Sequence, residues 1–179
     1  MILQNDESVK TKNKIHNLSV YSGDRDITAF NSPNNYTIRF LDTVGETFKN
    51  IVSIKLVSAV LPNVNSLMTE PFLIMNIKEF SYGMSGTNSA LKNSSSILQF
   101  EAPIIGRNFV DVKTDLNKSV FNDYERPIGE ISKLTIEFKK ITGALFNFGT
   151  DAAPNPNHAI QHLLEFEIVT REANTSGFI

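Results

Sequence analysis

The stretch KLTIEFKK, residues 133–140, decides the fold class of this chain because its apolar and polar residues alternate one by one. Leu134, Ile136 and Phe138 fall on one face of an extended strand, and charged or hydroxyl side chains fall on the other face. A strand with one buried and one solvent-exposed face is typical of an antiparallel sheet packed on a core. We therefore predict that these three side chains point into the space between two sheets.

Other segments repeat this pattern. Apolar residues alternate with polar ones at residues 36–40 and again at residues 164–168, which predicts two more half-buried strands. The stretch KNIVSIKLVSAVLPNVN, residues 49–65, predicts a long central strand. Its second half, including Val57, is predicted to be buried on both faces. Pro62 has no amide hydrogen to donate and is predicted to end the strand.

The remaining segments are shorter or richer in turn residues. Strands are predicted within residues 18–21, 70–80, 97–100 and 108–112, and a hairpin turn is predicted at Thr142 and Gly143. Residues 115–129 contain Pro127 and Gly129 and are predicted to form a loop. Residues 81–96 are rich in glycine, serine and asparagine and are also predicted to form a long loop.

The fold class that follows is all-β. About eight short strands and almost no amphipathic helix indicate an antiparallel β-sandwich with long loops, and a jelly roll is one arrangement that fits. Residues 1–16 are polar and lack periodicity, which predicts a flexible N-terminal arm. Residues 17–179 are predicted to form a single domain, since the length of 179 residues suits one core.

The composition narrows the classes of partner and chemistry. The chain has no cysteine, so disulfides, thiolate metal sites and a cysteine nucleophile are excluded. The net charge of -2 argues against specific nucleic acid as the partner, because proteins that neutralise many phosphates are normally basic. No apolar run approaches the roughly 20 residues that a transmembrane helix needs, so no transmembrane segment is predicted. The first residues lack the pattern of a secretion signal.

Two groups of residues have the composition of a possible metal site. His158, His162 and Glu165 would converge on a metal if the segment were helical, but a strand pattern follows at once, which favours solvent-facing histidines instead. Asp24 and Asp26 flank Arg25 and offer oxygen ligands to a hard cation, yet a turn that pairs its own charges is the commoner arrangement. We predict no metal and no cofactor.

Sequence motifs of enzymes do not occur in the chain. GxSxG, GxxxxGK[ST] and GxGxxG are all absent. We therefore predict a protein that is not an enzyme, although a hydrolase assembled in space on a sandwich scaffold stays an alternative.

Several segments, in their order along the chain, resemble a group of proteins encoded by large icosahedral double-stranded DNA viruses of algae and protists. The segments are SVYSGDRD, NNYTIRFLDTVGETFKNIVSIKLVSAVLPN, EPFLIMNIKEF, ISKLTIEFKKITGALFNFG and HLLEFEIVTRE, and the resemblance covers about residues 18 to 170. Proteins of that group resemble minor capsid or virion structural components with β-sandwich folds. No active site is carried over by the resemblance.

The resemblance implies a non-enzymatic minor capsid protein that cements or scaffolds the shell. Its expected partners are the major capsid protein and other minor capsid proteins, and a homo-oligomer is a further alternative. The expected location is the virion capsid, with the host cytoplasm during assembly. A glycan- or ligand-binding β-sandwich module of a virion surface structure is the alternative function. Candidate interface residues are Asp24, Arg25 and Asp26 in the SGDRD turn, with Tyr82 and Met84 in the long loop.

Overall fold

The computed structural model describes residues 11–80, 86–92, 94–101, 108–112 and 121–173. These residues form nine strands and a one-turn helix, α1, Phe40–Thr43. The strands are β1 (Thr11–Tyr21), β2 (Asn35–Arg39), β3 (Phe48–Pro62), β4 (Leu73–Ile77), β5 (Ser96–Leu98), β6 (Phe109–Asp111), β7 (Phe121–Ile131), β8 (Lys133–Lys139) and β9 (Leu163–Ala173).

The strands form two antiparallel sheets, which confirms the predicted all-β sandwich. Sheet A has the order β1-β9-β3-β6, with β7 also paired to β3, and sheet B has the order β2-β8-β4-β5. The pairing is nested along the chain: β1 pairs with β9, β2 with β8, β3 with β7 and β6, and β4 with β5. Each half of the chain therefore contributes strands to both sheets.

The core lies between the two sheets and is built by the predicted alternation. Leu134, Ile136 and Phe138 on β8 are all buried, with at most 1% of each residue exposed. They belong to the same apolar cluster as Leu164 and Phe166 on β9 of the opposite sheet. The alternation of apolar and polar residues in KLTIEFKK therefore correctly predicts which side chains of β8 lie on the inner face of sheet B.

The long strand β3 is central in sheet A and ends at Pro62, as predicted, but its faces were predicted wrongly. Its register against β9 shifts between Ile51 and Ser53 and again between Leu56 and Ser58. A bulge inserts one unpaired residue and moves the following side chains to the other face. Ile54 and Leu56 face the core before the second bulge, and Ala59 and Leu61 face it afterwards, whereas Val57 is 41% exposed.

The strand β7 corrects the prediction of a loop over residues 115–129, of which 121–129 are described. Among the described residues β7 pairs only with β3, so it is an edge strand. An edge tolerates proline because one side of the strand has no ladder hydrogen bonds to lose. The pairing also passes from Ile128 directly to Asp123, which leaves Pro127 outside the ladder.

The N-terminal boundary is a further correction. Residues 11–16 were assigned to a flexible arm, but they pair with β9 in register from Thr11 opposite Ala173 onward. Their side chains are mostly exposed, so their polarity is compatible with a strand. The predicted hairpin turn at Thr142 and Gly143 is present, and the returning chain makes one bridge, between Leu145 and Lys139.

The bulge at Val57 predicts different outcomes for two neighbouring substitutions. Val57→Lys should change the free energy of unfolding by less than about 0.5 kcal/mol, because the side chain already meets solvent. Ala59→Lys should destabilise the protein by several times that amount, because Ala59 is 2% exposed and the ammonium group would be buried. Urea denaturation of both variants measures the difference. Equal losses would contradict the bulged register.

Candidate functional site

The SGDRD segment forms a tight turn where β1 ends. A 3-10 turn, Ser22–Asp24, is followed by an extended residue at Arg25. The Asp26 carboxylate then accepts hydrogen bonds from the backbone N–H groups of Thr28 and Ala29, at 3.0 and 3.2 Å, and so holds the next turn. Asp24 and Asp26 are exposed, whereas Arg25 points into the protein.

The side chain of Arg25 is buried with all of its donor groups occupied. Its Nε donates to the backbone oxygen of Phe30 at 2.8 Å. Nη1 donates to the Ser22 oxygen at 2.6 Å and to Oε1 of Gln161 at 2.7 Å. Nη2 donates to Oδ2 of Asp151 and, at 3.4 Å, to the oxygen of Asn31. A guanidinium group has five N–H donors, so the network satisfies the whole group.

The acceptors are themselves held in place. Oδ1 of Asp151 accepts from the Asn157 N–H at 2.6 Å, and its Oδ2 accepts from Nε2 of Gln161 at 2.9 Å. Gln161 also donates to the Asn157 oxygen, and its Oε1 accepts from the Ser22 hydroxyl at 2.8 Å. Ser22 in turn accepts from the His162 N–H. We call Ser22, Arg25, Asp151 and Gln161 the arginine network.

The arginine network corrects the expectation that the Asp-Arg-Asp turn pairs its own charges. Arg25 forms its ion pair with Asp151, and neither side chain has exposed surface. Burial would by itself raise the pKa of Asp151, but the hydrogen bonds from Asn157, Gln161 and Arg25 and the positive charge of Arg25 hold that pKa below its ordinary value. The carboxylate is therefore ionised at neutral pH, and the buried charges compensate each other.

A second correction concerns His162, which was expected to face solvent. It is 1% exposed and its Nε2 lies 2.8 Å from the Tyr36 hydroxyl. Its ring packs against Phe138 and Phe148, with centroid distances of 4.7 and 5.7 Å. Burial, followed by the nearby positive charge of Arg25, lowers the pKa of His162 to about 3. His162 is therefore neutral.

The histidines and Glu165 do not assemble a metal site. His158 is exposed and its Nδ1 lies 2.6 Å from the Tyr21 hydroxyl, while the Glu165 carboxylate accepts a hydrogen bond from Ser58. Among the described residues no group of three or more acidic, histidine or cysteine side chains is placed to hold a metal ion. The three residues thus have separate partners.

A polar cleft lies on the outer side of the SGDRD turn. It has a volume of about 570 Å³ and lies between this turn, β2, α1 and the start of β8. Asp24, Asp26 and Asp42 line it together with Arg39 and Lys133, and Ala29, Phe30 and Ile38 add apolar surface. Acidic and basic side chains are thus mixed around one concave surface, which suits hydrogen bonding to a polar ligand more than binding of a simple ion.

The predicted interface residues have different positions. Asp24 and Asp26 are on the surface and line the polar cleft, so their predicted contact with a partner stays a prediction. The side chain of Arg25 is occupied inside the protein. Tyr82 and Met84 lie outside the described residues. Sequence reasoning missed Asp151 and Gln161, since nothing in GTDAAPNPN or in HAIQH marks them as partners of a residue over a hundred positions earlier.

Comparisons with known proteins add no family. No family model matches this chain, and no curated protein matches it. Within the described part of the chain, no helix is both long and apolar enough to cross a membrane.

Breaking the arginine network should cost much stability. Arg25→Met should lower the free energy of unfolding by about 3 to 5 kcal/mol, because Asp151 would be left buried without its counter-charge. The matched control Lys49→Met removes an exposed ion pair with Glu130, which spans 3.9 Å, and should cost less than about 1 kcal/mol. Urea denaturation at pH 7 gives both values. A loss below about 1 kcal/mol for Arg25→Met would contradict the structural role of the network.

Acid should destabilise the protein through His162. Its pKa is about 3 in the folded state and about 6.5 in the unfolded chain, so between these values the unfolded state binds the extra proton. The stability contributed by the neutral ring is therefore present above pH 6.5 and decreases as the pH falls. The expected loss between pH 7 and pH 5 is about 2 kcal/mol. The depressed pKa of Asp151 adds a loss of the same sign only below about pH 4.

The control variants separate His162 from the other histidines. His162→Phe should flatten the dependence of unfolding free energy on pH between 7 and 5, since phenylalanine does not titrate and the site is already aromatic. His158→Gln should keep the dependence of the wild-type protein. If His162→Phe shows the same slope as the wild type, the loss has another origin.

Proposed function

We propose that this chain is a non-enzymatic minor capsid protein of a large DNA virus, where it contacts the major capsid protein and other minor capsid proteins. The observation that carries the proposal is the nested order of the two sheets, β1-β9-β3-β6 and β2-β8-β4-β5. We infer that this order is a jelly roll. Viral capsid domains are among the proteins built on that arrangement, which they share with lectins and cupins.

The resemblance in sequence supports the same reading, because its segments coincide with structural elements. The SGDRD segment supplies Arg25 to the arginine network. The other segments contain β2 with β3, β4, β8, and all of β9 except its last residue. Fold alone does not specify function, so the proposal depends on both the strand order and the ordered segments.

The rigidity of one end of the sandwich also suits a structural role. The arginine network joins the turn after β1 to residues 151–162 before β9, and each of its polar groups is paired within the protein. Loops held by buried hydrogen bonds present a fixed surface, and a fixed surface lowers the entropy cost of binding a neighbour. The exposed Asp24 and Asp26 lie on this surface.

The alternative is a glycan- or ligand-binding module on a virion surface, and the polar cleft is the observation that favours it. Its volume of about 570 Å³ is within the usual range for ligand sites, and its carboxylates and cations could bind sugar hydroxyl groups. Phe30 is the aromatic ring in its lining. Sugar-binding surfaces commonly use aromatic faces, and a single phenylalanine supplies little of that surface.

The direct test is the protein content of purified particles. Virions of the virus that encodes this chain are banded on a density gradient, and quantitative mass spectrometry follows the chain and the major capsid protein through the fractions. The proposal predicts a constant ratio of the two across the particle peak, also after a high-salt wash. Absence from particles, with abundant protein in infected cells, would remove the proposal. Glycan-array binding that Arg39→Ala abolishes would favour the alternative instead.

A further inference from the structure

The strand β1 forms one edge of sheet A. It pairs with β9 along its whole length without a register shift, and among the described residues no strand pairs with its other side. Edge strands usually carry a bulge, a proline, a very short span or charged side chains, above all lysine, that discourage a further strand from adding. β1 is eleven residues long, straight in register and free of proline, and of these devices it carries the lysines Lys12 and Lys14. Its backbone can therefore accept another strand where carboxylates face the two lysines.

The residues whose backbone groups face outward follow from the register. Ser22 donates its N–H to the oxygen of His162 at 3.0 Å, and hydrogen-bonded pairs alternate in an antiparallel ladder. Even-numbered residues of β1 therefore bond to β9, and odd-numbered ones direct N–H and C=O groups to the open edge. The side chains of these odd-numbered residues are uncharged: Thr11, Asn13, Ile15, Asn17, Ser19 and Tyr21.

The inward face beside this edge has two chemically different parts. Near its C-terminal end, a notch of about 120 Å³ is lined by Leu18, Val20, Ile38, Phe40 and Val44, and also by the polar residues Ser19, Tyr21, Asp24 and Thr43. This volume approaches that of an engineered cavity of ~150 Å³ that holds benzene, so the notch has room for one side chain against Leu18 and Val20.

The N-terminal part of the same face is basic. Lys12 and Lys14 are exposed. Both are even-numbered, as are Leu18 and Val20, so all four side chains lie on the same face of β1. Lys14 lies 3.6 Å from Glu172 of β9, in a pair that is itself exposed. The inward face of β1 thus changes from apolar to positively charged along one strand.

We propose that β1 binds an extended strand of another protein, added antiparallel to the edge of sheet A, with aliphatic side chains opposite Val20 and Leu18 and acidic ones opposite Lys14 and Lys12. Strand β9 presents most of this pattern on the other side of β1. Leu164 lies opposite Val20, Phe166 opposite Leu18 and Glu172 opposite Lys12. Thr170 lies opposite Lys14, which instead pairs with Glu172 at 3.6 Å. The added strand therefore places against β1 the same two types of side chain, apolar and acidic, that β9 places on its other side.

A second copy of this chain fits the edge less well. When two β1 strands pair antiparallel about Ile15, Lys14 comes opposite His16 and Lys12 opposite Leu18 of the other copy. Pairing about His16 or Asn17 places Lys14 opposite Leu18 or Val20. In none of these registers does a carboxylate lie opposite Lys12 or Lys14, whereas opposite charges on facing strands stabilise a sheet. The acidic strand is therefore the better match.

This inference does not depend on the capsid role, so either can fail alone. A fluorescein-labelled peptide of eleven residues tests it, with threonine everywhere except leucine and valine at positions two and four and glutamate at positions eight and ten. Fluorescence anisotropy with the full chain should show saturable binding that weakens as salt is added. The control peptide has its glutamates at positions seven and nine, which places them on the opposite face from the aliphatic residues. It should bind about tenfold more weakly.

Variants of the chain locate the binding. Lys12→Glu with Lys14→Glu should weaken binding about tenfold, whereas Lys92→Glu with Arg126→Glu makes the same change in net charge on exposed residues away from β1 and should have little effect. Ser19→Pro removes an outward N–H and should also weaken binding, while Ser19→Ala should not. Thermal melts verify that each variant is folded.

Three outcomes would overturn the proposal: no binding of the designed peptide, equal binding of both peptides, or equal loss of binding in the two charge-reversal double variants. Analytical ultracentrifugation of the chain alone is the remaining measurement. A dimer that Ser19→Pro dissociates would assign the edge to a second copy of the chain and contradict the acidic strand.

Discussion

A guanidinium group with no exposed surface constrains one whole end of this sandwich. The charge of Arg25 can be buried only if a carboxylate compensates it and every N–H finds an acceptor. The acceptors come from the turn after β1, from residues 30 and 31, and from the segment between Asp151 and Gln161. Two irregular regions that lie more than a hundred residues apart along the chain, residues 22–31 and 151–161, must therefore meet in one arrangement.

The position of this constraint matters because β1 and β9 are neighbours. Ser22 follows β1 and His162 precedes β9, and the two residues exchange hydrogen bonds through backbone and side chain. The network thus fixes the end of the first strand against the start of the last one. From there the register runs without a shift for the length of β1, and the apolar cluster between the sheets fills the rest of the interior. The outer edge of β1 is left straight and regular, which gives it the capacity to pair again.

Local patterns predicted the parts of the fold whose burial alternates residue by residue. The alternation in KLTIEFKK predicted the inner face of β8 correctly, because β8 is a regular strand whose outer face is only partly buried. For β3, the sequence pattern predicted the central position and the end at Pro62 correctly. It did not predict that the bulges turn Val57 to solvent, because a bulge depends on the partner strand as well as on the local sequence. Strand β7 was missed because Pro127 and Gly129 are acceptable at an edge, which a single segment does not reveal. The arginine network depends on pairs such as Arg25 and Asp151 that only the tertiary fold brings together.

The rate at which the Asn157 amide hydrogen exchanges with solvent tests the central claim most directly. Asn157 lies in an irregular segment, but its N–H donates to Oδ1 of Asp151 at 2.6 Å. If the arginine network keeps this end of the sandwich folded, the Asn157 amide hydrogen should exchange only through global unfolding of the protein. Native-state exchange followed by NMR should then give a rate within about tenfold of the rate for the Phe138 N–H, which lies on the buried strand β8 and donates to the backbone oxygen of Asn34, the residue before β2. Exchange as fast as in an unstructured peptide would show that the loops open independently of the sandwich, and would contradict the account.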